Sequence, residues 1–214
     1  MSSCKLFDGI SETQRAHLAE CMRPAIRDFE KGETVIMEGD RLSQIGIVLS
    51  GTLEAKKVSA YGDSVIISTL SEGDVVGEAL CASGMESPVT VFASSPCRLA
   101  FISFARIMSV CSDSCAFHRR LIENLIRILS LQYFLLHERI SCLMLKSLRN
   151  KVLEFLLLCS KKAQSDTFNI PFDREEMANF LGCDRSALSR ELSALKNEGI
   201  IDYYKNSFKI TKKR

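Results

Sequence analysis

Residues 173–199 carry the pattern that most constrains how this chain can fold: two short helices joined by a tight turn. Asp173, followed three residues later by Glu176, is the signature of a capping box and predicts a helix start. Gly182 stands where this helix has to end, because glycine adopts the positive φ of a turn without strain. Asp184 is the predicted N-cap of the second helix. The stretch therefore predicts a helix-turn-helix.

The second predicted helix has an apolar face and a polar face. Leucines at positions 188, 192 and 195 recur at helical spacing and form the apolar face. The polar face near its start consists of Arg185, Ser186, Ser189 and Arg190. A recognition helix presents such side chains to the major groove of DNA, where arginine can donate two hydrogen bonds to guanine O6 and N7.

Two short apolar runs, IIDYYK and SFKIT, follow the second helix and predict a hairpin around Asn206. A hairpin in this position is the wing of a winged helix. Lys196, Lys205 and Lys209 are predicted to contact DNA phosphates, which position a protein on DNA without reading its sequence. The positive charge of the chain is concentrated in the same region. Residues 149–214 hold 13 Lys and Arg against 9 Asp and Glu, whereas residues 1–148 have a net charge of −2. A basic excess of this kind is what a DNA-binding domain needs.

The first half of the chain has a different pattern of apolar residues and glycines. A predicted N-terminal helix, capped by Ser11, runs to about Pro24. From residue 27 to residue 103, short β-branched or alternating runs such as ETVIMEG, QIGIVLSG, SEGDVVGEAL and PCRLAFIS are separated by glycines. They predict a compact β-roll of about eight strands, with hairpin turns at residues 49–52 and 61–63.

A long helix is predicted over residues 114–141, roughly 40 Å at 1.5 Å per residue. It carries two apolar stripes. One is heptad-like and contains Leu121, Leu125, Ile128, Leu131 or Gln132, and Leu135; the other contains Ile122, Ile126, Leu129 and Leu136. Two apolar faces need two partners, so we expect the β-roll to cover one stripe and a second copy of the chain the other. A helix buried within a monomer is the alternative.

A β-roll, a long helix and a winged helix-turn-helix, in this order, resemble the cyclic-AMP receptor protein/fumarate-nitrate regulator superfamily of bacterial transcription factors. LGCDRSALSRELSALKNEGII and GDVVGEAL carry the resemblance most specifically. It implies an α+β fold with an N-terminal helix and a cyclic-nucleotide-binding-like β-roll (jelly roll) that senses an effector over residues 1–113, a long dimerisation helix over 114–141 and a DNA-binding winged helix-turn-helix over 142–214. It also implies a homodimer that responds to a small-molecule effector, binds a palindromic promoter site in double-stranded DNA and contacts RNA polymerase.

Two features depart from the pattern of the superfamily. Many relatives have a glutamate that accepts from cytosine where this chain has Ser186, so a different half-site is expected. The Gly-Glu pair of cyclic-nucleotide sites is present as Gly77 and Glu78, but its usual Arg-Ser partner reads Pro88-Val89. The effector site implied by the resemblance consists of Gly77, Glu78, Pro88, Val89, Leu136 and His137. A cyclic phosphate would have no fixed cation there, so cyclic AMP is not the expected effector.

An alternative to a small-molecule effector is a signal sensed by cysteine and histidine residues. The chain has nine cysteines and no CxxC pair, which indicates reduced thiols that pack as small hydrophobes. Cys111, Cys115 and His118 are spaced to share a helix face and could ligate a soft metal or haem, which would make the protein a redox-, metal- or haem-responsive regulator. Because this spacing is not a known zinc signature, core packing is the favoured interpretation and no metal site is predicted.

Other classes of function are disfavoured. The sequence contains no nucleophile–base pair, phosphate-binding glycine loop or HExxH motif, so neither an enzymatic activity nor a resident cofactor is predicted. No apolar run is long enough to cross a bilayer, and the N-terminus lacks a signal-peptide core. We therefore expect a cytoplasmic protein without a membrane partner.

Overall fold

The computed structural model describes residues 4–58, 64–109, 116–170 and 172–211. The chain divides into two compact units, residues 1–132 and residues 133–214, and each has its own hydrophobic core. The predicted division of the chain at residues 113 and 141 stays a prediction.

The first unit is a two-sheet β-roll with helices on one side. Its helices are α1 (Glu12–Met22), α2 (Glu78–Ser83), α3 (Phe104–Met108) and the first part of α4 (Ala116–Leu143). Its strands are β1 (Ala25–Phe29), β2 (Thr34–Ile36), β3 (Gln44–Ser50), β4 (Leu53–Val58), β5 (Ser64–Leu70), β6 (Val75–Val76), β7 (Thr90–Ala93) and β8 (Cys97–Ser103). The eight described strands confirm the predicted number.

The strands form two antiparallel sheets, ordered β1-β8-β3-β6 and β2-β7-β4-β5. Alternation along β8 shows how the sheets build the core. Leu99 and Phe101 point into the core between the sheets, whereas Ala100 and Ile102 point into a second core shared with the helices. Both faces of β8 are therefore buried, which explains its nearly continuous apolar sequence.

The predicted hairpin at residues 49–52 is wrong, because β3 and β4 belong to different sheets. Gly51, with a φ of +87°, lies in this connection, where a Cβ atom would stand 2.3 Å from the carbonyl oxygen of Pro96. The run SEGDVVGEAL is also not one strand, since β6 is only two residues long and α2 begins at Glu78. The predicted turn at residues 61–63 lies outside the described residues.

The predicted N-cap of the first helix is confirmed. Ser11 Oγ accepts from the Gln14 amide at 3.4 Å, and Gln14 Oε1 accepts from the Ser11 amide at 2.9 Å, which completes a capping box. The buried amide of Asn124 on α4 donates to the carbonyls of Leu6 and Asp8 at 3.0 and 2.9 Å. These bonds attach the N-terminal segment to α4.

The second unit is a helical domain with a small sheet. Besides the end of α4, it contains α5 (Leu148–Ala163), β9 (Thr167–Asn169), α6 (Arg174–Leu181), α7 (Arg185–Asn197), β10 (Ile201–Tyr204) and β11 (Ser207–Ile210). The β10–β11 hairpin confirms the predicted wing, and β9 adds a third strand beside β11 that the sequence did not reveal. None of the helices in the described part of the chain combines the length and hydropathy that a bilayer crossing requires.

Local sequence accounts for the turn between α6 and α7. Asp173 Oδ1 accepts from the Glu176 amide at 2.9 Å, and Glu176 Oε2 accepts from the Asp173 amide at 2.8 Å, so the predicted capping box is present. Gly182 ends α6 with a φ of +62°, as predicted. Asp184 occupies the N-cap of α7, but its side chain makes no capping hydrogen bond. The predicted N-cap position is therefore confirmed, although the side-chain hydrogen bond of a typical cap is absent from it.

Candidate functional site

The start of α7 presents a polar surface. Leu188, Leu192 and Leu195 are fully buried in the core of the second unit. The four residues predicted to face DNA, Arg185, Ser186, Ser189 and Arg190, are all exposed on the opposite face. Because the apolar face fixes the rotation of the helix, these four side chains are held outward together.

The wing lies beside the start of α7. Lys205 is exposed at the tip of the hairpin, and its backbone has a left-handed φ of +50°. A cleft of about 570 Å³ is lined by Asp173, Arg174, Glu175, Arg185, Lys205 and Asn206. The structure thus brings Arg185 and Lys205, two of the predicted DNA contacts, to one cleft between α6, α7 and the wing.

Lys196 is engaged within the protein. Its Nζ lies 2.7 Å from Asp202 Oδ1, donates to the Tyr203 carbonyl at 3.2 Å and stands 5.0 Å from the centre of the Tyr203 ring. The hydrogen bond from Lys196 lowers the pKa of the Asp202 carboxyl. Lys196 therefore joins α7 to the wing, and its predicted contact with a DNA phosphate stays a prediction that competes with this ion pair.

Arg149 on α5 is a residue of this region that the sequence did not reveal. Its Nη1 donates to Glu198 Oε1 at 2.9 Å, its Nη2 donates to Glu198 Oε2, and Nη1 also lies 3.5 Å from Glu191 Oε1. The Arg149 hydrogen bond lowers the pKa of Glu198. These contacts connect α5 to the second half of α7, so they orient the recognition helix from the side away from its polar start.

The predicted effector site is centred on a buried carboxylate. Gly77 has a φ of +84° and begins α2, which places Glu78 inside the β-roll with only 4% of its surface exposed. Gln132 on α4 donates from Nε2 to Glu78 Oε1 at 2.5 Å. Burial raises the pKa of Glu78. Gln132 was not predicted as a site residue, since nothing in the sequence marks which polar residue of a long helix faces a carboxylate.

The loop before β7 holds Pro88 and Val89, two of the residues predicted to contact an effector. Pro88 is exposed and Val89 is half-buried against the core between the sheets. The inward residue is Ser87, 2% exposed, whose Oγ donates to the Val89 carbonyl at 2.7 Å. The predicted contact of Pro88 and Val89 with an effector stays a prediction, and the side chain that this loop buries is Ser87.

The last two predicted effector residues, Leu136 and His137, belong to the second unit. Both side chains are exposed on α4. Their predicted role stays a prediction, while Gly77, Glu78 and Gln132 form a cluster within the first unit.

Replacing Glu78 by Gln is expected to raise the free energy of unfolding at pH 7. A carboxyl whose pKa is raised by burial stabilises the fold only while protonated, so the wild type loses stability as the pH rises through this pKa, whereas Gln stays neutral and can still accept from Gln132. Urea unfolding of both proteins between pH 3.5 and pH 8 measures the difference, which should shrink towards zero at low pH.

Glu86→Gln is the matched control for this experiment. Glu86 is exposed and pairs with Arg41 at 3.1 Å, so its replacement should give no gain in stability with rising pH. A Glu78→Gln advantage that is absent at pH 7, or that does not vary with pH, would contradict a desolvated Glu78.

Five of the described thiols are desolvated. Burial raises the pKa of Cys81 and Cys159 to about 11, and burial also raises the pKa of Cys4, Cys142 and Cys183. Thiols with raised pKa values are poor nucleophiles and poor metal ligands at neutral pH.

The metal or haem alternative receives no support from the described part of the chain, which holds no cluster of three or more His, Cys, Asp or Glu suited to a metal ion. Of the predicted candidates, His118 is buried with Nε2 2.7 Å from the Ile107 carbonyl oxygen. Cys111 and Cys115 lie outside the described residues.

Comparison with known families assigns both halves of the chain. Residues 26–114 match the cyclic nucleotide-binding domain, and residues 150–214 match the Crp-like helix-turn-helix domain. The chain belongs to the CRP/FNR family of transcription regulators. The membership confirms the resemblance stated from the sequence and the predicted α+β fold of β-roll, long helix and winged helix-turn-helix. As a CRP/FNR regulator the protein binds DNA and carries an effector-binding domain, and the family is one of regulators rather than of enzymes.

Individual relatives match most of this CRP/FNR protein. The nitrogen fixation regulation protein FixK of Bradyrhizobium diazoefficiens is 29% identical over 92% of this chain and 81% of its own length. The cAMP-activated global transcriptional regulator CRP of Salmonella typhimurium is 23% identical over 82% and 84%. Among solved structures, CprK complexed with OCPA superposes with a TM-score of 0.70 at 20% identity, covering 94% of this chain and 92% of CprK. At this identity the likeness to CprK shows the fold alone.

Proposed function

We propose that the protein is a homodimer whose two α7 helices read a palindromic site in double-stranded DNA, and whose β-rolls hold a small-molecule effector that governs this binding. At a promoter, the bound dimer would contact RNA polymerase. The observation that carries the proposal is the start of α7, where the exposed face of Arg185, Ser186, Ser189 and Arg190 stands opposite three fully buried leucines.

The surface of α4 supports the dimer. Leu121 and Leu125, from the first predicted stripe, are buried in the core of their own unit. An uncovered apolar stripe follows heptad positions a and d: Ile126, Leu129, Tyr133, Leu136, Ile140 and Leu143. All of these are exposed except Leu129, which is half-buried. Alternating steps of three and four residues are the spacing of a two-stranded coiled coil, so a second α4 is the natural cover for this stripe.

Replacing Arg185 by Ala is expected to weaken binding to the specific DNA site by roughly 1–3 kcal/mol, or about 5- to 150-fold, because a bidentate arginine–guanine contact is lost. Binding to unrelated DNA should change far less, since that depends on phosphate contacts. Fluorescence anisotropy with both DNAs measures the two affinities.

Arg98→Ala is the matched control, because Arg98 is exposed on the β-roll and pairs with Asp28. It should leave both affinities unchanged. An Arg185→Ala protein that loses equal affinity for specific and unrelated DNA would show that Arg185 contacts phosphate and does not read a base.

The composition around Glu78 supports an effector other than cyclic AMP. Residues 77–89 contain no Lys or Arg, so this segment offers a cyclic phosphate no cation, and a buried unpaired anion costs several kcal/mol. The buried Glu78 instead favours an apolar or cationic effector with a hydrogen-bond donor. Relatives differ in this respect, since CRP is cAMP-activated and CprK was solved with OCPA.

A thermal-shift screen tests this part of the proposal, because a ligand that binds the native state raises the melting temperature by mass action. Cyclic nucleotides, phenolic acids, amines and haem would be tested on the wild type and on Glu78→Gln. We expect no shift with cyclic AMP, and a shift with a compound of another class that is reduced in Glu78→Gln. A clear shift with cyclic AMP would contradict the proposal that residues 77–89 cannot hold a cyclic phosphate.

A further inference from the structure

Arg174, the first residue of α6, inserts its guanidinium among aromatic rings of the wing. The guanidinium carbon lies 5.2 Å from the centre of the Tyr203 ring and 5.0 Å from that of Phe208, and these two rings stack on each other at 5.5 Å. Cation–π contacts of this kind are stronger when the cation is partly desolvated, and Arg174 is half-buried. One side chain from the helix-turn-helix therefore contacts both strands of the wing.

The same guanidinium also contacts the tip of the wing. Nη2 donates to the carbonyl of Lys205 at 2.7 Å. Lys205 adopts a left-handed φ of +50°, a conformation that costs energy for a residue with a Cβ atom. A charge-assisted hydrogen bond to this carbonyl compensates for that cost and holds the tip in one conformation.

Another part of the Arg174 guanidinium is also enclosed by protein. Nη1 is buried and has no hydrogen-bond partner among the described residues. A second cation, Lys196, approaches the Tyr203 ring from α7. The wing is thus attached to both helices of the helix-turn-helix. The backbone of Lys205, which lines the same cleft as Arg185, is held by the hydrogen bond from Arg174.

We infer that Arg174 is a positioning residue of the DNA-binding surface: it holds the backbone of the wing tip, so that Lys205 lines the cleft that it shares with Arg185 and meets a DNA phosphate there. The inference rests on the proposed function, because it assigns Arg174 a role in how the wing meets DNA. In this role Arg174 acts through Lys205 and does not contact DNA itself.

A double-mutant cycle of Arg174→Met and Lys205→Ala tests the inference. Met keeps an apolar side chain of similar length against the rings but removes the charge and the donors. The measurement is the slope of log K for DNA against log salt. Lys205→Ala alone should reduce the slope by about 0.9, the value of one phosphate contact. In the Arg174→Met background, Lys205→Ala should change the slope by close to zero, because the contact is already lost.

Two outcomes of the cycle would overturn the inference. If the two substitutions reduce the slope additively, Arg174 does not act through Lys205 and behaves as a phosphate ligand of its own. If Arg174→Met leaves the slope unchanged and Lys205→Ala still reduces it by about 0.9, the wing tip does not depend on Arg174.

A measurement without DNA separates this inference from the proposed function. The backbone ¹⁵N order parameters of Lys205 and Asn206 should fall from about 0.85 in the wild type to below about 0.6 in Arg174→Met, and Arg174→Lys should lie between them. Unchanged order parameters in Arg174→Met would contradict the inference. Should Arg174→Met fail to fold, Arg174→Lys carries the same comparison. If the wild type binds no DNA, the proposed function fails while the effect on the wing remains measurable.

Discussion

Gly51→Ala is expected to lower the free energy of unfolding by about 2–5 kcal/mol, the sum of backbone strain and overpacking. Gly51 has a φ of +87°, and an added Cβ atom would stand 2.3 Å from the Pro96 carbonyl oxygen and 2.8 Å from Cys97 Cα. Both are backbone atoms, so rotation of a side chain cannot relieve the overlap. The connections β3–β4 and β7–β8 would have to separate. Urea unfolding followed by circular dichroism measures the loss.

Gly39→Ala is the control that separates the two causes. Gly39 has a similar φ of +92°, but a Cβ atom there meets nothing within 4 Å. Its replacement should cost only the strain of a left-handed alanine, about 1–2 kcal/mol. Equal losses for the two variants would mean that the packing of Gly51 against residues 96 and 97 does not contribute to stability.

Ile140→Glu is expected to raise the dissociation constant of the dimer at least about 100-fold. Ile140 occupies an a position of the exposed α4 stripe, and in a coiled coil the two copies of residue 140 would face each other. Two facing carboxylates would have to be desolvated without a partner, which costs several kcal/mol. Sedimentation velocity over a range of concentrations measures the constant, and circular dichroism verifies that the variant folds.

Ser141→Glu is the matched control, because residue 141 is the exposed neighbour that falls outside positions a and d. It introduces the same charge one residue away and should leave the dissociation constant within about threefold of the wild type. A dimer that survives Ile140→Glu unchanged would place the subunit interface away from the α4 stripe.

Local signals in the sequence predicted much of the second unit. Asp173 with Glu176 marks the start of α6, because a capping box is satisfied by residues three positions apart, and Ser11 marks the start of α1 in the first unit in a similar way. Gly182 ends α6 as expected. The leucine spacing of α7 fixed which face is buried and therefore which polar residues are exposed. These features depend on neighbours within one or two turns of helix, which is why a single sequence reveals them.

Features that depend on distant neighbours could not be predicted in the same way. The segment around Gly51 has the residue types of a hairpin turn, but whether β3 pairs with β4 or with β8 is decided by sheet packing. β9 is too short for its periodicity to be recognised. The Glu78–Gln132 bond joins residues 54 positions apart. The burial of Ser87 depends on which side of the loop faces inward, and no local pattern records that.

The apolar stripes of α4 could be predicted from the sequence only in part. Both stripes were visible as apolar spacing, and two partners were expected. Leu121 and Leu125 of the first stripe are buried with residues from α1, β3 and β8, but Leu131 and Leu135 of the same stripe are exposed. Ile122 of the second stripe packs against the β-roll core. Neither predicted stripe therefore lies wholly on one side, and only the structure identified Ile126 and its heptad partners as an uncovered stripe.

Selection of DNA fragments from a random library by the purified full-length protein, with and without effector, tests the central claim most directly. We expect enrichment of a palindrome whose half-sites lie about 10 base pairs, or roughly 34 Å, apart, as two recognition helices on one face of DNA require. Arg185→Ala should lose the preference at one base of each half-site. Enrichment of no motif, or of a single asymmetric half-site bound by one chain, would contradict it.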